Sequence, residues 1–262
     1  MTNKNLSNEN ILHIKNGWIE YLQFKKLLEY KDKIQHCYTL KPLDYRKGNE
    51  NNYKKLYKDL QLDYSKFIQI QHQVHSNFVE VVFNEKKQYT NIDGLITNIK
   101  GISLSLRYAD CTPIYLYDPI KNVIGNIHSW RKWTIKKIAI QWVINMIKSY
   151  NSNPQDIIAC LWPSIGKCHF EVDEDVKNIF QTTFSYMNED KIIEKWKIKN
   201  NNQKYFIDTN TINKRLLEDV WLKTENIIES NICTVCNATY IHSYRADKDK
   251  NWRNTAIIWL RE

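Results

Sequence analysis

Three residues have the types from which a reactive centre could be built: His75, Cys111 and His128, at sequence separations of 36 and 17. Each falls at the end of a run rich in strand-forming residues, or where such a run meets a loop. Two imidazoles and a thiolate can make a three-ligand zinc site with an open fourth position, as metal-assisted catalysis requires. No local spacing of the H-x-x-x-H kind joins them, and taken singly each is more commonly a satisfied histidine or a structural thiol. Cys111 and His128 also have the residue types of a thiol nucleophile and its base, as in a Cys/His hydrolase or amidase. Cys233-x-x-Cys236 has no second pair at zinc-ribbon spacing, so it reads first as cysteines of a strand, ahead of a redox pair or a structural zinc site. Glu171 and Asp173 offer carboxylates, but they stand where a helix cap favours acidic residues. Glycine-rich phosphate loops are excluded: the six glycines are never closer than seven positions, so neither G-x-G-x-x-G nor G-x-x-x-x-G-K-[ST] can be written.

These residues need elements to hold them. Strand-like runs at 67–71 and 78–83 flank His75, and further runs at 103–108, 113–118 and 122–128 place Cys111 between strands and His128 at a strand end. A helix is expected from 134, capped by Thr134, with Ile135, Ile138, Ala139, Trp142, Val143, Met146 and Ile147 on one stripe. A buried strand follows at 156–162, then capped helices over 173–186 and 210–229, and a closing strand at 255–260. The first fifty residues show no clear pattern, and the polar stretch 46–55 leads into a helix with Tyr53, Leu56, Tyr57 and Leu60 at helical spacing. Helices and strands interleave without strict β-α-β alternation, which predicts an α/β fold: a layered sandwich of mixed sheets flanked by helices. No internal repeat or long linker divides residues 1–262, so a single domain is expected.

Composition narrows the class. With 42% hydrophobic and 26% charged residues over 262 positions, the chain can bury a sizeable core and is not a disordered sequence. Six glycines and five prolines exclude collagen-like and flexible low-complexity architectures. The net charge of +9 would suit an anionic partner, but the basic residues are spread rather than striped, so a nucleic-acid partner is not expected. No run approaches the ~18 consecutive apolar residues of a membrane span, and residues 1–22 lack the apolar core of a secretory signal. Six cysteines in a chain too long to need a disulfide frame point to reduced thiols and a cytoplasmic location.

Several short motifs, in series, resemble the YfiH-type laccase-domain family. They are Gln73-Val74-His75, Asp93-Gly94-Leu95-Ile96-Thr97, Ala109-Asp110-Cys111-Thr112-Pro113 and Gly125-Asn126-Ile127-His128-Ser129. Pro163-Ser164-Ile165-Gly166, Tyr205-Phe206-Ile207-Asp208, and Cys233-Thr234 with His242-Ser243-Tyr244-Arg245 extend the likeness over roughly residues 50 to 262. The resemblance implies a layered α/β sandwich and a metal site at His75, Cys111 and His128, holding zinc or, in the oxidase reading of the family, copper. It also implies a purine nucleoside phosphorylase that takes adenosine, inosine or methylthioadenosine, with phosphate as co-substrate and with adenosine deaminase activity. Holding phosphate beside the glycosidic carbon then requires converging cations such as Arg107, Lys132, Arg245 or Arg253. Of these, Arg245 matches an arginine of the family's closing motif.

The chain departs from the family at His128-Ser129-Trp130-Arg131-Lys132-Trp133-Thr134, where the family reads H-A-G-W-R-G-T. Tryptophans thus stand where glycines would leave the backbone open to an anion. Three rivals remain at this stage: a copper-dependent polyphenol oxidase, a Cys/His hydrolase, and a non-catalytic nucleic-acid binder carried by the +9 charge.

Overall fold

A computed structural model of the chain describes residues 5–70, 73, 78–83, 89–199, 202–248 and 250–262. The opening stretch builds three antiparallel strands: β1 (Ile11–Asn16), β2 (Ile19–Phe24) and, after the one-turn helix α1 (Lys25–Leu28), β3 (Ile34–Thr39). Helix α2 (Glu50–Asp59) follows the polar stretch as expected and buries Tyr53, Leu56 and Tyr57. Strands β4 (Phe67–Gln69) and β5 (Glu80–Val81) are shorter than the runs that predict them, and His75, between them, lies outside the described residues. Then come β6 (Gly94–Thr97), β7 (Ser103–Tyr108), β8 (Thr112–Asp118) and β9 (Val123–Ser129).

The helix expected from 134 is two helices, α3 (Arg131–Ile135) and α4 (Ile138–Tyr150), separated at Lys137, whose φ of +55° breaks the helical path. Thr134 is therefore no cap; it is buried inside α3 with its hydroxyl 3.3 Å from the Trp130 carbonyl. Strand β10 (Ile158–Leu161), the short β11 (Glu171–Val172) and helix α5 (Glu174–Thr183) follow. Next are the hairpin strands β12 (Ile193–Lys199) and β13 (Asn202–Ile207), then helix α6 (Thr209–Glu218), capped by Asp208. The helix predicted over 210–229 ends there: Trp221 takes a φ of +67°, and the chain re-forms as strand β14 (Ile227–Glu229) beside β10. Helix α7 (Tyr244–Asp247) and strand β15 (Asn254–Leu260) close the chain. Among the described residues no helix is long and apolar enough to cross a membrane.

Two six-stranded mixed sheets, in the orders β1-β2-β3-β15-β7-β4 and β14-β10-β8-β9-β6-β5, face each other, and β11-β13-β12 form a smaller third sheet. Side-chain alternation along each strand sorts the layers. On β8, Tyr115 and Tyr117 point between the sheets toward Leu104, Leu106 and Ile258, whereas Ile114 and Leu116 face Trp142, Val143 and Met146 of α4. Likewise Ile257 on β15 turns outward to Tyr53, Leu56 and Tyr57 of α2. The result is helix, sheet, sheet, helix: the layered α/β sandwich of mixed sheets. Strands buried on both faces read as continuous apolar runs, which is why β8 was legible and the half-exposed β1 was not.

Polar ties between the sheets set the position of β9. Asn126 donates to the carbonyls of Leu104 (3.1 Å) and Ala256 (2.8 Å) and accepts from the Tyr108 hydroxyl at 2.8 Å. His128 is two residues further along the same strand and so shares that inward face, where its ring meets Tyr108 edge-on at 5.4 Å.

Candidate active site

One end of the sandwich gathers the candidate residues. β7 and β9 both finish there, β6 and β15 both begin there, and the link 109–111 crosses from the first sheet to the second. Register brings Asp93 beside His128, since Gly94 pairs with Ile127. The buried Asp93 accepts from His128 twice: its carbonyl from the backbone N–H and its carboxylate from Nδ1–H, each at 2.9 Å. The bond engages Nδ1 from behind the ring, and a carboxylate in that place is the usual support of a metal-ligating histidine. Asp93 belongs to a motif visible in the sequence, but nothing in its type or spacing tied it to His128, 35 residues away.

Cys111 is positioned by its neighbour. Asp110 takes a left-handed φ of +78°, a conformation aspartate tolerates better than most residues. Its carboxylate accepts from the Thr234 hydroxyl and, at 2.6 Å, from the Arg245 backbone N–H, while its carbonyl accepts from Ile165 N–H at 2.9 Å. Asp110 is thus a structural hub that holds the turn presenting Cys111. Burial and then Asp110 push the Cys111 thiol above its ordinary range, with Arg253 opposing. A nucleophilic cysteine needs the opposite shift, whereas a cation bound to the sulfur deprotonates such a thiol.

Two adjoining cavities share Cys111, Trp130 and Tyr244 as walls. The larger, about 410 Å³, is lined also by Gln73, Arg107, His128 and Arg253. Gln73 is held by paired bonds to the Arg107 backbone, both 3.1 Å, and one Arg107 guanidinium nitrogen donates to the Ile70 carbonyl at 3.0 Å. Arg253 is part-buried, and desolvation lowers its pKa, the mark of a guanidinium withdrawn from water. The smaller cavity, about 200 Å³, has Ile165 and Phe170 among its apolar walls and Arg131 and Arg245 at its polar edge.

The structure therefore brings together Cys111, His128, Arg107, Arg245 and Arg253. Lys132 is exposed on α3 and absent from both linings; Arg131 lines the smaller cavity. Trp130, one of the tryptophans in place of a family glycine, forms the partition between the cavities, with the Arg131 guanidinium 5.3 Å from its ring centroid. Tyr244, 64% exposed, stands at the mouth. Neither role is readable from the sequence, because both depend on where α3 and α7 meet the sheet ends. Cys233 and Cys236 also depart from expectation: Cys233 makes a single bridge to Ser164, and Cys236 lies in the turn beyond it rather than in a strand.

Comparison with known proteins agrees with the fold. A protein of Bacillus subtilis named purine nucleoside phosphorylase YlmD is 31% identical over 170 residues, 65% of this chain and 59% of its own length, so the chain spans about three fifths of that relative. A purine nucleoside phosphorylase of Borreliella burgdorferi is 27% identical over 230 residues, covering 87% of this chain and 93% of the relative. The crystal structure of Bacillus licheniformis hypothetical protein YfiH superposes with a TM-score of 0.81 at 25% identity, over 95% of this chain and 99% of that one. The family model described as multi-copper polyphenol oxidoreductase laccase matches residues 39–261, from the last residue of β3 past the end of β15, and the chain belongs to this family.

Proposed function

We propose that the protein is a purine nucleoside phosphorylase acting on adenosine, inosine and methylthioadenosine, and that the same site deaminates adenosine. The observation that carries this reading is the sharing of one cavity by Cys111, His128 and two guanidinium groups, Arg107 and Arg253, against an aromatic-walled second cavity. In phosphorolysis a phosphate oxygen bonds to the anomeric carbon as the bond from that carbon to the purine nitrogen breaks, giving free base and ribose 1-phosphate. Arg107 and Arg253 hold the phosphate, and their charge is fixed in place before the reaction rather than gathered from solvent. Trp130 and Tyr244 take the flat base between them, and Arg245, pinned by its backbone to Asp110, borders the base cavity. Arg131, rather than Lys132, borders the same base cavity.

His75, Cys111 and His128 would hold zinc, with copper the alternative, and such a cation supplies Lewis-acid chemistry for activating water and for a departing nitrogen. In deamination water adds at C6 of adenine and ammonia leaves. Asp93 is a positioning residue that keeps the His128 ring turned to the cavity. A site dependent on Cys111 suits a cytoplasm that keeps thiols reduced.

The test is incubation of the full chain with inosine or adenosine, with and without phosphate. Base release that requires phosphate and yields equimolar ribose 1-phosphate is expected. Base release indifferent to phosphate, or copper-dependent oxygen uptake with phenols in place of any nucleoside turnover, would overturn the assignment.

A further inference from the structure

Outside the linings of the two cavities, four side chains from two distant segments meet at the surface. Cys168 and His169 lie between β10 and β11, and Cys233 and Cys236 lie after β14. Their three sulfurs and one imidazole nitrogen all lie within 4.8 Å of one another. Cys168 Sγ is 3.7 Å from Cys236 Sγ, and His169 Nδ1 is 3.2, 3.5 and 3.7 Å from the sulfurs of Cys168, Cys236 and Cys233. Tetrahedral zinc, with bonds of about 2.3 Å to sulfur and about 2.0 Å to nitrogen, spaces sulfur from sulfur by about 3.8 Å and sulfur from nitrogen by about 3.5 Å. The measured separations are close to the edges of that tetrahedron.

Local backbone supports the same occupant. Cys233-x-x-Cys236 has the two-residue spacing of zinc-binding turns. The Gly166 N–H donates to Cys233 Sγ at 3.3 Å and fixes that sulfur in the cluster. Glycine also gives the sulfurs room, since a Cβ at 166 would stand 3.2 Å from Cys233 Cβ and 3.4 Å from the sulfurs of Cys168 and Cys233.

We propose that Cys168, His169, Cys233 and Cys236 bind a zinc ion in a closed Cys₃His site, structural in role and distinct from the site of Cys111 and His128. Thiolate and imidazole donors in a tetrahedron select zinc, and four protein ligands leave no position for substrate. Binding releases one proton from each of three thiols, and the resulting single negative charge lies beside Arg245, whose guanidinium donates to the His169 carbonyl at 2.9 Å. The ion ties the segment after Ser164 to the turn that carries Thr234, which bonds to Asp110. It thereby braces both Arg245 and the turn presenting Cys111.

Cobalt is the probe. The full-length Cys111→Ser variant, purified under reducing conditions, is loaded with Co²⁺, so that signals from the catalytic centre do not enter. One equivalent with thiolate-to-cobalt charge transfer and tetrahedral d–d bands is expected; adding Cys168→Ser and Cys236→Ser abolishes it, and adding Cys236→His instead retains a shifted tetrahedral spectrum. If Cys111→Ser does not fold, the Cys168→Ser/Cys236→Ser pair in the otherwise natural chain must lower zinc content by one equivalent. The proposal is overturned if the folded protein takes up no zinc or cobalt, if the bands survive loss of Cys168 and Cys236, or if intact mass shows a Cys168–Cys236 disulfide after reducing purification.

Discussion

Gly94→Ala tests how the sandwich places Asp93, and through it His128. A Cβ at position 94 would lie 1.7 Å from Trp142 Cζ2 and 1.8 Å from Cη2. Carbon atoms in contact sit about 3.5–4.0 Å apart, so the indole or the strand must move by about 2 Å. Trp142 is fully buried beside Ile127, Val143 and Met146, which leaves it nowhere to go. Gly94 does not adopt a positive φ, so the cost is steric alone. Overpacking of this kind costs about 1–3 kcal/mol, and the size of the clash puts the expectation at the upper end. For a chain of this length each kcal/mol lowers Tm by about 2–4 °C, giving a fall of about 6–12 °C. Trp142→Phe removes the two colliding atoms and also the indole N–H, which is buried with no partner among the described residues. The double variant should therefore be more stable than the sum of the single effects by about 1–2 kcal/mol. Urea and thermal denaturation of the four proteins measures this. A Gly94→Ala protein that melts within 1 °C of the parent, or a strictly additive pair, would refute the packing described at this strand.

Further expectations concern the site and its pH response. Asp93→Asn keeps the shape but removes the charge behind His128, and should weaken zinc retention against a chelator by about 10–100-fold with little change in urea midpoint; unchanged retention would remove Asp93 from the positioning role. Arg107→Met and Arg253→Met should each raise the KM for phosphate by about 10–100-fold, the loss of one charge-assisted hydrogen bond, while the KM for nucleoside changes far less. His36 accepts from the Phe24 backbone N–H through Nε2 at 2.8 Å, and burial holds its pKa down at about 3. The folded value lies below the unfolded ~6.5, so the unfolded chain takes up the proton first and stability falls as pH drops from about 6.5 toward 3. About 2 kcal/mol should be lost between pH 7 and 5, read as a lower urea midpoint, and His36→Asn should flatten that slope; an equal slope in the variant would locate the effect elsewhere.

Legibility in the sequence followed unbroken apolar runs. Strands β7 to β10 were readable in that way, and α2 and α4 by their stripes. The first three strands were not: β1 alternates apolar residues with histidine, lysine and asparagine, and β2 and β3, though almost wholly buried, are interrupted by glutamate, glutamine and histidine. The predicted helix over 210–229 ran on past its true end since Ile227 and Ile228 suit a helix as well as a strand; pairing with β10 decided the matter. Lys137 broke the other helix by a backbone angle that lysine does not announce.

What the sequence by itself determined is the set of reactive residue types, the layered α/β class, and the motif series that marks His75, Cys111 and His128. Periodicity and spacing are local properties, and local properties survive in a string. Only the tertiary structure decided that Asp93 stands behind His128, that Arg253 joins Arg107 across the ends of β15 and β7, that Arg131 rather than Lys132 lines the smaller cavity, and that Cys168 with His169 completes the pair at Cys233 and Cys236. The pairings of Asp93 with His128, Arg107 with Arg253 and Cys168 with Cys236 join residues 35 to 146 positions apart, through strand register or a crossing between sheets. Such contacts are fixed by how layers bury their apolar faces, and no single segment carries that information.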